Sequence, residues 1–146
     1  MVVTTNVNTE SQLIQTNKVV MGRLGNTRIE QYNVKAVGGD ITFKPYDVLA
    51  YDQTADAYVQ TNSTITEADR ADAIFGGDVS ITVSSGETKL VPIAVEGTFD
   101  VESLVFANTG DLLSTVSAGG DTYKSMLKTQ GIHVQDVSEL SVLDNK

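Results

Sequence analysis

Val79, Ile81 and Val83 alternate with Ser80 and Thr82, and this period of two is the feature that most constrains the fold. Successive side chains on a strand point to opposite faces, so the alternation argues for a strand with one face buried. Other β-prone runs surround it, each bounded by turn residues. Residues 29–37 carry Tyr32, Val34 and Val37 among polar residues and end at Gly38-Gly39-Asp40. This reads as one or two strands followed by a turn. Residues 46–52 form a strand centred on Val48 and Leu49. A polar turn over residues 53–56 and a return strand over 57–60, with Tyr58 and Val59, complete a hairpin. Residues 61–66 read as a loop. Residues 68–75 then bring Ala71, Ala73, Ile74 and Phe75 up to Gly76-Gly77-Asp78.

Residues 84–87 form a tight connection into a second strongly β-prone run, 89–96, which Gly97 closes. Pro92 has no amide to donate, so this run is expected at a sheet edge or with a bulge. Its residues Leu90, Val91, Pro92 and Ile93 are then candidates for a contact between subunits that covers the edge. Asp100 is placed to cap a helical turn through Leu104. Residues 108–120 are polar and Gly-containing and read as an irregular loop. Asp121 is an N-cap candidate for a helix with Tyr123, Met126 and Leu127 at helical spacing, ended by Gly131. Residues 132–134 make a last short strand. Gly-Gly-Asp occurs three times, at Gly38, Gly76 and Gly119. The unequal spacings argue for turn chemistry rather than a repeat. The expected fold is mainly β with one short helix, an α+β chain with a compact β-rich body.

The length of 146 residues fits one domain. Three zones are expected: residues 1–17, a body over 18–134, and an acidic tail over 135–146. The body opens on an apolar patch of Val19, Val20, Met21 and Leu24, punctuated by Gly22, Gly25 and Asn26. The first zone is rich in Thr, Asn, Val and Gln, with no Gly and no Pro. Two readings stay open for it: a disordered terminus, or an extended arm that orders on a partner, since Thr and Val suit β geometry.

Ten basic and nineteen acidic residues give a formal charge of -9. That balance argues against nucleic acid and against an anionic membrane surface as partners, because both call for concentrated Lys and Arg. No apolar run is long enough to span a bilayer, and no basic region followed by an apolar core marks a signal peptide. The chain has no cysteine, which removes disulfides, thiolate nucleophiles and Cys-ligated metals.

His133 is the sole histidine, so a Ser-His-Asp triad would have to use it. No serine has the flanking glycines of a nucleophile elbow. Its neighbours Ile132 and Val134 favour an ordinary strand residue. Two carboxylate groups remain: Asp47, Asp52 and Asp56 around the hairpin, and Glu67, Asp69 and Asp72 after it. Such pairs can run glycoside hydrolysis or bind calcium. Neither group fits a calcium-loop pattern, and both lie beside turns, where Asp serves the backbone. Glycine spacing matches no phosphate or dinucleotide loop. Tyr32, Tyr46, Tyr51 and Tyr58 could stack sugars, although strand tyrosines are usually packing residues or interface anchors. No catalytic residue, cofactor or metal is expected.

The order of elements resembles the lambda-type phage head decoration proteins from about Asn17 to Val134. The hairpin pattern "G-x-V-L-G-x-D" of that family has its counterpart in Lys44-Pro45-Tyr46-Asp47-Val48-Leu49-Ala50-Tyr51-Asp52. An Ala-rich approach to a Gly-containing strand ending in Asp-Val is matched by Ala71-Asp72-Ala73-Ile74-Phe75-Gly76-Gly77-Asp78-Val79. A β run ending in Gly-x-Phe is matched by Val91-Pro92-Ile93-Ala94-Val95-Glu96-Gly97-Thr98-Phe99, with residues 100–104 behind it. The closing helix and Gly-Ile strand look like residues 123–134. The sequence departs from the family at Ala50, where a glycine is frequent, in the longer segment 108–120, and in the tail.

The resemblance implies a non-enzymatic virion protein on the outer capsid surface, assembled in the host bacterial cytoplasm. It implies a homotrimer that binds the major capsid protein of a phage head and stabilises the expanded shell as a cement protein. It also implies an N-terminal arm on the capsid, for which Val2, Val3, Thr4, Thr5, Val7, Leu13 and Ile14 are the candidate contacts. The alternative from another class is a carbohydrate-binding or adhesin-like β module using exposed tyrosines and carboxylates.

Overall fold

Turns written into the sequence set the ends of the strands. The computed structural model describes residues 27–136. The expected arm, the patch around Val19 and residues 137–146 lie outside them. Among the described residues eight strands and one α-helix follow in order: β1 (Arg28–Lys35), β2 (Ile41–Phe43), β3 (Val48–Asp52), β4 (Ala57–Gln60), β5 (Ala73–Phe75), β6 (Ile81–Val83), β7 (Thr88–Asp100), α1 (Tyr123–Thr129) and β8 (Ile132–Gln135). The fold is β-rich with one short helix, as the alternation predicts.

The strands β1, β4, β3, β5 and β7 pair in that order, and β7 pairs back onto β1. The sheet therefore closes on itself as a five-stranded barrel, and β8 is added parallel to the last stretch of β7, Gly97 to Asp100, beyond its pairing with β1. Four of the barrel contacts are antiparallel. The fifth is the parallel contact of β1 with β4, registered at Val34 and Tyr58. The β2–β6 ribbon stands apart as a two-stranded sheet. It is buttressed by two docked turns, in which the Ser85 amide donates to Asp40 Oδ1 and the Gly86 amide to the Ala36 carbonyl.

Alternation on the barrel strands sorts the apolar residues into three cores. Val34, Leu49, Ala73, Phe75, Val91 and Ile93 face the barrel interior, and Phe43 and Val83 of the ribbon close that core. Their neighbours Val48, Ile74 and Ala94 face outward against Phe99, Tyr123, Leu127 and Ile132. This outer layer is where α1 and β8 pack. A small third cluster of Ala50, Val59 and Ala68 sits under the 3₁₀ turn Thr66–Ala68. A small barrel has an interior that side chains fill.

Four expectations need correction. The run 89–96 is not an edge strand. β1 covers one side of it from Thr88 to Glu96, and β5 pairs with Ile93 and Ala94 on the other. Pro92 fits because its missing amide falls where the β5 ladder runs out, and its carbonyl still accepts from the Gly76 amide at 2.9 Å. The alternative of a bulge does hold: Arg28 pairs with Glu96 and Ile29 with Ala94, which leaves Val95 as the extra residue in β7. Gly97 does not end the strand: β7 continues through it to Asp100. The helix cap is Thr122, one residue after Asp121, and its hydroxyl accepts from the Ser125 amide at 3.1 Å. Val79 lies outside β6 and is exposed, because the bend after Gly77 delays pairing until Ile81.

Other turn assignments agree with the structure. Asp100 accepts from the Glu102 amide and opens the 3₁₀ turn Val101–Ser103. Gly131, at φ 92°, follows the end of α1. Residues 108–120 are irregular but anchored. Asp111 takes the amide and hydroxyl of Ser63, and Asp69 takes the Ala118 amide at 2.8 Å and the Tyr123 hydroxyl at 2.7 Å.

Candidate functional site

Parity along three neighbouring strands brings three of the four candidate tyrosines together. Tyr51 lies two residues beyond Leu49 on β3, and Tyr32 two residues before Val34 on β1. Both share the inward parity of those core residues. Tyr58 on β4 is in register with Tyr51 and with Val34. The rings of Tyr51 and Tyr58 are 5.2 Å apart, and those of Tyr58 and Tyr32 are 5.7 Å apart, both edge to face. They form an aromatic row at one mouth of the barrel. Tyr46 is elsewhere, packed edge to face on Phe99 in the helix-side core.

The row borders an open cleft of about 670 Å³, whose other walls include Asp52, Glu67, Arg70 and Asp72. Arg70 is held by a two-pronged contact with Asp72: Nε donates to Oδ2 at 3.0 Å and Nη2 to Oδ1 at 2.9 Å. Asp72 is buried and also accepts from the Tyr51 amide at 2.9 Å. The guanidinium is therefore fixed in orientation while half of it stays exposed. Its contact with Asp72 strengthens its hold on the proton. Burial, helped by the surrounding phenols and carboxylates, pushes the Tyr58 hydroxyl up to about 12. The Tyr51 hydroxyl is raised too, first because it donates to Asp56.

The carboxylates mostly serve the backbone. Asp52 accepts from the amides of Thr54 and Ala55 and shapes the hairpin turn. Asp47 is buried, accepting from the Lys44 amide at 2.8 Å and from Gln60 Nε2 at 3.1 Å on the same oxygen. Its Oδ1 is buried with no partner among the described residues. Desolvation raises its pKa despite the lowering effect of the Lys44 amide and Gln60. Neither carboxylate group gathers into a metal cage, and among the described residues no three His, Asp or Glu side chains are placed to hold a metal ion together.

His133 is an exposed strand residue on β8, registered with Thr98. The arm candidates Val2, Val3, Thr4, Thr5, Val7, Leu13 and Ile14 lie outside the described residues. The candidate contact run divides by parity: Val91 and Ile93 are fully buried in the barrel interior and have no surface to offer, whereas Leu90 is 60% exposed and Pro92 is half-buried. Leu90 sits on the outer face of the β1–β7 ribbon with Ile29, itself 37% exposed. Sequence reasoning singled out the tyrosines and both carboxylate groups but passed over Arg70. The signal available was the Arg70-x-Asp72 spacing, which on an extended segment places both side chains on one side. Comparison of the chain with protein-family models and with curated proteins finds no match.

Proposed function

We propose that the chain is a structural virion protein that seats as a homotrimer on the outer surface of a phage head, binds the major capsid protein there and stabilises the expanded shell. The observation that carries this reading is the continuity of the four resembling segments. They build β3 with the turn before it, β5 with its Gly-Gly bend, β7 with its following 3₁₀ turn, and the α1–β8 unit, all in one body. The exposed Leu90 and Ile29 on the outer face of the β1–β7 ribbon supply an apolar surface for a neighbouring copy. An expanded shell has shallow contacts between subunits, and a trimer that straddles them adds buried area at each and couples them by multivalency.

The test is electron microscopy of expanded heads of the encoding phage incubated with the protein. Three copies around each occupied three-fold position are expected. One or two copies per site, or no binding, would overturn the reading. A hydrolytic activity lost on Asp52→Asn or Asp72→Asn would overturn its non-enzymatic part.

A further inference from the structure

The mouth of the barrel holds an open cleft bordered by the tyrosine row. We propose that it binds a neutral saccharide, with a sugar ring laid against Tyr32, Tyr51 and Tyr58 and its hydroxyls held by Arg70, Asp52 and Glu67. Barrel mouths are a preferred place for ligand sites, and a cleft of about 670 Å³ has the size of one.

The chemistry of the walls selects the ligand class. A pyranose has an apolar C–H face and a rim of hydroxyls that both donate and accept. The aromatic row, with rings 5.2 and 5.7 Å apart across three strands, offers apolar surface on a rigid support. Arg70 spends two of its five N–H groups on Asp72, and the rest have no partner among the described residues. These fixed donors call for a ligand that accepts. A lysine or arginine side chain only donates and cannot satisfy them. Asp52 and Glu67 add acceptor oxygens that call for a ligand that donates. A hydroxyl meets both demands. Charge narrows the class further. Asp72 neutralises Arg70, which leaves Asp52 and Glu67 to make the cleft negative, so uronates, sialates and phosphates are repelled.

The test uses the free full-length chain, so its outcome is independent of binding to any shell. Maltohexaose, cellohexaose and chitohexaose are titrated while backbone amides are followed by NMR. Hexagalacturonate and hexalysine serve as the anionic and cationic comparisons. At least one neutral oligosaccharide is expected to move the amides of Tyr51, Asp52, Tyr58 and Arg70. Tyr32→Ala and Arg70→Gln are expected to weaken that binding roughly tenfold or more, a loss of the size seen when one anchoring side chain is removed. His133→Ala, on β8 and outside the lining of the cleft, is expected to leave it unchanged. Both cleft variants change partly exposed side chains, and the amide spectrum of α1 reports whether the fold is kept. The proposal is overturned if no neutral probe moves these amides, or if both cleft variants bind as tightly as the parent. It is also overturned if hexagalacturonate or hexalysine binds in preference to the neutral sugars.

Discussion

Gly97 shows how much one backbone conformation can decide. Its φ of 150° lies where side chains are strongly disfavoured, and a Cβ there would stand 3.0 Å from Thr27 Oγ1 and 3.3 Å from the Thr27 Cα. The residue lets β7 pass from its pairing with β1 to its pairing with β8 while the chain entering β1 lies against it. Gly97→Ala is expected to destabilise the fold by about 1–3 kcal/mol, the cost of a strained backbone position, readable from urea denaturation. Asp47 makes a different prediction. Burial raises its pKa above the ordinary 3.8, and one of its oxygens has no partner among the described residues. Well below 3.8 the carboxyl is protonated in both states and contributes nothing to pH dependence. As pH rises through that value the unfolded chain ionises first and the folded state lags, so folding stability falls until the folded carboxyl also ionises, and then levels off. Asp47→Asn removes that loss. The Tm of the variant relative to the parent is therefore expected to rise over the pH range that begins near 3.8 and runs upward, whatever constant offset the amide introduces. A flat difference across that range would show that Asp47 is not the group responsible.

At the level of elements, what could be read from sequence was local and what could not was long-range. The β3–β4 hairpin, the helix with Gly131 behind it and the turn at Asp100 follow from residues a few positions apart. Closure of the barrel depends on β1 meeting both β4 and β7, contacts between segments far apart in the chain. No local pattern encodes them, so the run around Pro92 could be read only as an edge strand or a bulged one. For the same reason Tyr32, Tyr51 and Tyr58 read as separate strand residues, although the parity that unites them was present beside Leu49 and Val34. Asp69 is the plainest case of long-range work: it reaches Ala118 and Tyr123, 49 and 54 residues on. It fastens an irregular segment to the helix-side core, where the buried Tyr123 also stacks on Phe106. Asp69→Ala leaves that hydroxyl and the Ala118 amide without their acceptor, at an expected cost of about 1–3 kcal/mol. Hydrogen exchange locates the damage. The Tyr123 and Lys124 amides, which donate to Thr115 and Leu113, are expected to exchange faster, while β3, β5 and β7 keep their protection. Uniform acceleration throughout the barrel would mean that the segment and the barrel unfold as one unit.

For the whole molecule, the proposed attachment to a shell can be tested separately on the body and on the residues before it. The body contributes Leu90, whose exposure makes Leu90→Asp compatible with folding. If the outer face of the β1–β7 ribbon joins copies, that variant keeps the parent's melting temperature and loses the trimer on decorated heads. The residues before the body make the last prediction. Residues 2–16 hold few apolar side chains, so whatever order they adopt on a capsid must be supplied by that partner. Each residue ordered costs roughly 1–2 kcal/mol of backbone entropy, which strand hydrogen bonds to a capsid sheet and buried valines have to offset. In the proposed trimer three copies would share the task, so a modest gain from each would multiply into firm attachment. The three apolar cores of the body are drawn from residues between Val34 and Ile132. Deleting residues 2–16 is therefore expected to leave melting nearly unchanged and to weaken binding to expanded heads by orders of magnitude in a co-sedimentation titration. A truncated protein that decorates heads as tightly as the full chain would place attachment in the body, and the ribbon face around Leu90 would become the surface to mutate next.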